Sequence, residues 1–183
     1  NFILESITIT VETDALLTYL TFTVYELILF LWAMTGFITF VILLFITAPY
    51  GRFSTSNLGP MISNRIGWII QESISPLVFT LFFILGTNEI TIPMWIFFII
   101  WVGHYFHRSF IYPFRQTKSG KMPIIIMFSA IFFNIINGFT NGFYMGSMKH
   151  NYSIEYFLEL NFIIGIIIFL IGLIINIKSD NIL

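Results

Sequence analysis

The stretch GHYFHRSF, residues 103–110, places two imidazoles, a phenol and a guanidinium between His104 and Arg108, directly after the apolar run TIPMWIFFIIWV (91–102). On a helix at about 100° per residue, with His104 at zero, Tyr105 falls near 100°, His107 near 300° and Arg108 near 40°. These four lie within an arc of about 160°, Tyr112 returns near 80°, and Phe106 points the other way at about 200°. Tyr105 lies about 15 Å inside the basic end marked by Arg115, at 1.5 Å per residue. Near a helix end such residues can serve as interfacial anchors. Ionisable groups deeper in an apolar span point instead to a functional site.

A second stretch, WIIQESISP (68–76), carries Gln71, Glu72, Ser73 and Ser75 inside another apolar run. A carboxylate at a bilayer centre costs on the order of 3 kcal/mol, so Glu72 must face protein, with a partner or a proton. Trp68, Glu72 and Ser75–Pro76 share a helical face. One reading is a structural ion pair of Glu72 with Arg108 or Arg65. The other sets Glu72 beside Tyr105, where a carboxylic acid and a phenol make a donor pair for a substrate oxygen. Asn134, Asn137 and Asn141 fall within about 60° on one further face. Gly138 and Gly142 on that helix form a GxxxG that lets helices approach closely. Packing is the preferred reading of this cluster and pocket lining the second. In INIKSD (175–180), Asn176, Ser179 and Asp180 lie at i, i+3 and i+4, as nucleotide contacts or as a plain helix terminus. His104 and His107 have no third ligand at metal-site spacing, so no metal is expected. No GxGxxG, Walker A or GxSxG sequence occurs, so any cofactor must bind within the bundle itself.

The elements that must hold these residues follow from composition. Of 183 residues, 57% are hydrophobic and 9% charged, with a mean hydropathy of +0.92; soluble domains carry about 25% charge. The net charge of −1 offers nothing to nucleic acid, and the absence of Cys removes disulfides and thiolate chemistry. A membrane crossing takes about 20 apolar residues. Five spans are predicted, at about 27–47, 67–86, 91–112, 123–145 and 162–177, with 15–26 either extending the first helix or lying at the interface. Backbone hydrogen bonding in lipid then requires an all-α, polytopic helical bundle. Residues 1–26 form an N-terminal segment and 27–183 one membrane domain. Arg52, Arg65, Arg115, Lys118, Lys121 and Lys178 fall on one side. Glu5, Glu12, Asp14, Glu26, Glu89, Lys149, Glu155 and Glu159 fall on the other. The positive-inside rule puts the first set in the cytoplasm and the amino end outside, in a bacterial inner membrane or the endoplasmic reticulum. An Asn at position 1 and an end just past an apolar run suggest a piece of a longer protein.

In order along the chain, APYGRF (48–53), WIIQES (68–73), GHYFHRSFIYPFR (103–115), NGFTNGFY (137–144) and INIKSDNIL (175–183) resemble the steroid 5α-reductase family. The nearest members are the 3-oxo-5α-steroid 4-dehydrogenases. The resemblance implies an NADPH-dependent reductase of a conjugated enone on a lipophilic small molecule, in a seven-helix membrane fold of which five helices lie here. It implies that Tyr105 and Glu72 hydrogen-bond the substrate ketone with Gln71 beside them; Asn137, on the pocket-lining reading of the Asn face, is placed in the substrate pocket. The resemblance further implies that Asn176 and Asp180 contact NADPH with Arg108 in support. The family motif often reads INIHSD, and Lys178 stands in the place of its His. A long-chain enoyl-CoA or polyprenal-type reductase, and a non-catalytic membrane protein, are the alternatives.

Overall fold

A computed structural model of the chain describes residues 2–49, 53–115, 120–148 and 152–180. Arg52, Lys118 and Lys149, part of APYGRF and the last three residues of INIKSDNIL lie outside the described residues. The chain divides into two compact units, 1–48 and 49–183, where the sequence reading draws its boundary after residue 26.

The first unit is a single helix, α1 (Phe2–Leu43). Its stretch Thr13–Leu43 is long and apolar enough to cross a membrane. Residues 15–26 therefore continue the helix, and Glu26, expected in a loop, sits on an exposed face within it. Hydroxyls in this run are satisfied locally: Thr18, Thr21 and Thr35 each donate to the carbonyl four residues earlier at 2.8 Å. Such back-bonding hides a polar group where lipid offers no partner.

The second unit holds α2 (Asn64–Ile84), α3 (Ile92–Phe106), α4 (Tyr112–Arg115), α5 (Ile124–Ser147) and α6 (Leu160–Asp180). Between α3 and α4 the backbone forms a π-turn over His107–Ile111, so the helical path is unbroken from 92 to 115. At 1.5 Å per residue that path spans roughly 36 Å. In all, four regular helices among the described residues suffice to cross a membrane: 13–43, 64–84, 124–147 and 160–180. The third expected span is instead a composite of α3, π-turn and α4. Two three-residue strands, β1 (Met61–Ser63) and β2 (Lys121–Pro123), pair antiparallel. Neither strand is among the elements expected from the sequence. With Asn64 N–H donating to Gly120 O at 3.0 Å and Ile124 N–H to Pro60 O at 2.9 Å, this ribbon ties the starts of α2 and α5 together. At the other end Asn88 N–H donates to Gly146 O at 2.8 Å.

The two helices so tied run parallel and pack through residues four apart. On α2 the buried positions are Gly67, Gln71, Ser75, Phe79 and Phe83. On α5 they include Asn134, Gly138, Gly142 and Gly146. A Cβ at Gly138 would stand 2.7 Å from Ser75 O, and one at Gly142 2.6 Å from Phe79 O. One at Gly146 would collide with Phe82 O. Asn134 Nδ2 donates to Gln71 O at 2.8 Å, continuing the same register. Phe79, Phe83 and Met94 form the most buried cluster, and Phe79 stacks on Trp101 of α3 with centroids 4.9 Å apart. α6 has no buried residue and meets α3 and the π-turn along one stripe, through Phe97–Phe162, His104–Phe169 and Arg108–Asp180.

Gly142→Leu is expected to force α2 and α5 apart and lower the thermal unfolding midpoint in detergent. Gly172→Ala on α6, where a Cβ meets nothing within 4 Å, is expected to leave the midpoint unchanged or raise it slightly.

Candidate functional site

The site begins where α3 gives way to the π-turn. Tyr112 N–H bonds His107 O, five residues back, which inserts one residue into the turn. The regular wheel used on the sequence therefore fails beyond His107, and π-turns of this kind recur at functional sites. Arg108 sits within the turn. Its guanidinium lies 4.7 Å from the ring centres of both Trp68 and Tyr112, and those rings meet edge-on at 5.1 Å. Arg108 Nη1 pairs with Asp180 Oδ2 at 3.0 Å, both side chains 14% exposed. Two residues expected on one cofactor site are thus in direct contact. Asn176, one turn earlier on α6, has a buried Oδ1 without a hydrogen-bond partner.

Closer to the middle of the bundle lies a cavity of about 370 Å³, within the size range of small-molecule pockets. α3 contributes Phe97, Ile100, Trp101, His104 and Tyr105 to its wall. Phe79 comes from α2, Asn137, Asn141 and Met145 from α5, and Phe169 from α6. The wall is mostly apolar, with its polar groups gathered on one side. Asn137 Nδ2 donates to the Tyr105 hydroxyl at 2.8 Å. Asn141 Nδ2 donates to Asn137 O at 2.9 Å and to Asn137 Oδ1 at 3.2 Å. His104 packs edge-on against Tyr105, and its buried Nδ1 has no partner.

Gln71 and Glu72 lie on the α2 side and do not line this cavity. Gln71 Nε2 donates to Glu72 Oε1 at a long 3.4 Å. The Glu72 carboxyl is near enough to Tyr105 and to Arg108 for their charges to interact. Neither expected partner forms an ion pair with it. Arg108 is taken by Asp180, and Arg65 Nε donates to Pro113 O at 3.3 Å with its guanidinium over Phe114. Fully buried Ser75 lies beside the phenol on the same α2 face.

Seven residues were singled out on the sequence as site candidates. Tyr105 and Asn137 meet in the cavity wall, Arg108, Asp180 and Asn176 gather at the ribbon end, and Gln71 and Glu72 lie between. Trp101 and Phe169 were missed. Trp101 is one helical turn before Tyr105, a spacing that could have marked it, whereas nothing marks Phe169 within its Ile-rich run. Asn141, in a cluster read as packing first and pocket lining second, lines the cavity. Among the described residues no three His, Asp or Glu side chains converge as a metal site.

Fold and site together define a polytopic membrane bundle with an apolar cavity headed by a phenol and two amides. Residues 120–183 match the family model of 3-oxo-5-alpha-steroid 4-dehydrogenase. The chain is 34% identical over 148 residues to steroid 5-alpha-reductase DET2 of Arabidopsis thaliana, covering 78% of this chain and 56% of that protein. It is 30% identical to the DET2 of Solanum lycopersicum, covering 87% of this chain and 63% of that protein. With 3-oxo-5-alpha-steroid 4-dehydrogenase 1 of Bos taurus it shares 28% identity, over 81% of this chain and 59% of that protein. Over most of its length the chain is thus similar to steroid 5-alpha-reductases. It spans less than two thirds of the length of these relatives.

A double-mutant cycle on Arg108→Gln and Asp180→Asn should return a coupling of about 0.5–3 kcal/mol, the range for paired groups in one network. Unfolding in detergent measures it. Additive single effects would show that the pair does not hold α6 to the π-turn.

Proposed function

We propose that this chain carries the ketone-polarising site of an NADPH-dependent reductase that saturates the C=C bond of a conjugated enone. Its substrate is a lipophilic molecule resembling a 3-oxo-Δ4-steroid. The observation that carries this reading is Tyr105: its phenol borders an apolar cavity, receives a hydrogen bond from Asn137 at 2.8 Å, and lies close to Glu72. The names of the relatives, steroid 5-alpha-reductase and 3-oxo-5-alpha-steroid 4-dehydrogenase, describe that bond and that ketone.

The residues at the ribbon end fit the cofactor chemically. Asn176 Oδ1 is buried without a partner, an acceptor that a ligand's N–H or O–H would satisfy. Asp180 would accept from hydroxyl groups and Arg108 would face phosphate. NADPH, when bound, supplies the hydride that goes to the β-carbon. The chain's own residues handle the charge this creates. Electron density moves through the conjugated system to the carbonyl oxygen. Tyr105, assisted by Glu72, hydrogen-bonds that oxygen and stabilises the enolate, and a proton then returns at the α-carbon. In an apolar site of the kind this aromatic and aliphatic wall provides, each such hydrogen bond is worth about 3 kcal/mol rather than the small net value found in water. The basic residues Arg65, Arg115, Lys121 and Lys178 mark the ribbon end as cytoplasmic by the positive-inside rule. That gives a cytosolic nucleotide access to Arg108 and Asp180.

In protein containing these residues, Tyr105→Phe is expected to lower kcat for enone reduction on the order of 10²-fold, the loss typical for one such donor. Glu72→Gln should lose less, since its amide can still donate. NADPH oxidation with a 3-oxo-Δ4-steroid measures turnover, and the thermal midpoint checks the fold. Undiminished turnover in Tyr105→Phe ends the assignment. A panel with enoyl-CoA and polyprenal substrates separates the related reductases.

A further inference from the structure

We propose that Asn141 is a positioning residue: it fixes the amide of Asn137, which fixes the direction in which Tyr105 offers its proton. This deepens the reading of Tyr105 as the donor to a ketone and rests on it.

A backbone carbonyl can only accept. Asn141 Nδ2 lies 2.9 Å from Asn137 O, so the end of the Asn141 amide that faces this carbonyl must be its NH2. That NH2 has two protons. The second reaches Asn137 Oδ1 at 3.2 Å. Were the Asn137 amide turned over, two NH2 groups would face each other with no acceptor between them. The Asn137 oxygen is therefore held towards Asn141, and its NH2 is left to point at Tyr105, 2.8 Å away.

The consequence falls on the phenol. A tyrosine hydroxyl is both donor and acceptor and can rotate to suit its neighbours. Here the Asn137 NH2 can only donate, so the Tyr105 oxygen must accept on the α5 side. Its own proton is directed away from α5, towards the α2 side where Glu72 and Ser75 lie. A hydroxyl that accepts one hydrogen bond also donates a stronger one, because the chain of bonds polarises. Asn137 and Asn141 are four residues apart on α5, so the anchor is internal to one helix. Nothing on α3 needs to move for the phenol to be aimed. Asn134, a turn earlier, bonds α2 instead. The Asn row is thus divided between packing and aiming.

The test reads the ketone directly. A 3-oxo-Δ4-steroid labelled with ¹³C at the ketone carbon is bound to the detergent-solubilised protein, and its C=O stretch is recorded by difference infrared spectroscopy. Turnover is measured alongside. In the wild type the stretch should be lowered relative to the free ketone, and Tyr105→Phe should restore it. Asn141→Leu should weaken and broaden the lowered band. It should reduce kcat on the order of 10- to 100-fold, the scale of a small misplacement of a catalytic group, while KM stays within about threefold because binding is largely unaffected. Asn141→Asp, close in shape, covers the case in which the leucine variant fails to fold. The new carboxylate cannot donate, so Asn137 turns over, its oxygen captures the phenol proton, and the ketone band returns towards its free position. A wild-type band and wild-type kcat in a folded Asn141 variant overturn the role of Asn141 while leaving Tyr105 as the donor. Identical bands in wild type and Tyr105→Phe overturn the reading of Tyr105, and this proposal with it.

Discussion

The closeness of α2 to α5 is the constraint on which the rest of the second unit depends. In lipid, apolar surface gains little by leaving the bilayer for another helix, so close backbone approach and polar pairing must hold helices together. Gly138, Gly142 and Gly146 leave their side of α5 bare, and the α2 carbonyls of Ser75, Phe79 and Phe82 come up against it. Asn134 extends the seam to Gln71 O. Once that register is set, neighbouring residues have no freedom. Asn137 precedes Gly138 and turns to the cavity. Glu72 follows Gln71 and turns towards Tyr105 and Arg108. Ser75 lies in the seam itself, which brings it beside the phenol. A side chain at Gly142 would therefore disturb groups it never touches.

The π-turn plays the complementary part on α3. An α-helix continued through His107–Ile111 would leave each residue after it one position further round. The inserted residue lets Tyr112 pack edge-on against Trp68 and brings both rings to 4.7 Å from the Arg108 guanidinium. A guanidinium in a largely apolar setting is costly unless paired, and here it has two π faces and the Asp180 carboxylate. That arrangement also explains the course of α6. With no buried residue, this helix is held to α3 by a few aromatic contacts and by the ion pair at its end.

Much of this was legible in the sequence because lipid imposes simple rules. Length and hydropathy located the helices, and the Gly spacing on α5 pointed to close packing. The polar residues of spans two, three and four had to face inward. What escaped depends on local backbone detail or on distant partners. The His107–Ile111 turn carries no Pro or Gly to announce it. The β1–β2 ribbon joins segments about sixty residues apart and is too short for any alternation to show. The first helix outran its expected start because threonines can bond back to their own helix, which keeps polar positions such as Thr18 and Thr21 compatible with an apolar helix. The direct pairing of Arg108 with Asp180 depends on such a distant partner too. A pair of Glu72 with Arg108 or Arg65 was the alternative reading of Glu72, and it is Asp180, seventy-two residues on, that α6 brings to hydrogen-bonding distance of Arg108.

These partnerships divide the polar groups by kind. The full charges, Arg108 and Asp180, neutralise each other towards the ribbon end. Around the cavity the polar groups are amides, hydroxyls and an imidazole, with the Glu72 carboxyl set just behind. Isolated charge is what an apolar interior tolerates least, whereas hydrogen-bond donors and acceptors can be satisfied in rows. A row of neutral groups ending in a phenol needs no counterion when nothing is bound. In the proposed reaction it would meet negative charge on the substrate oxygen with dipoles already aimed, which need not reorganise. For the proposed reaction, which would build charge only transiently, a fixed row of dipoles suits the site better than a resident cation. This is the physical sense of an Asn–Asn–Tyr chain within a wall otherwise made of Phe, Ile, Trp and Met.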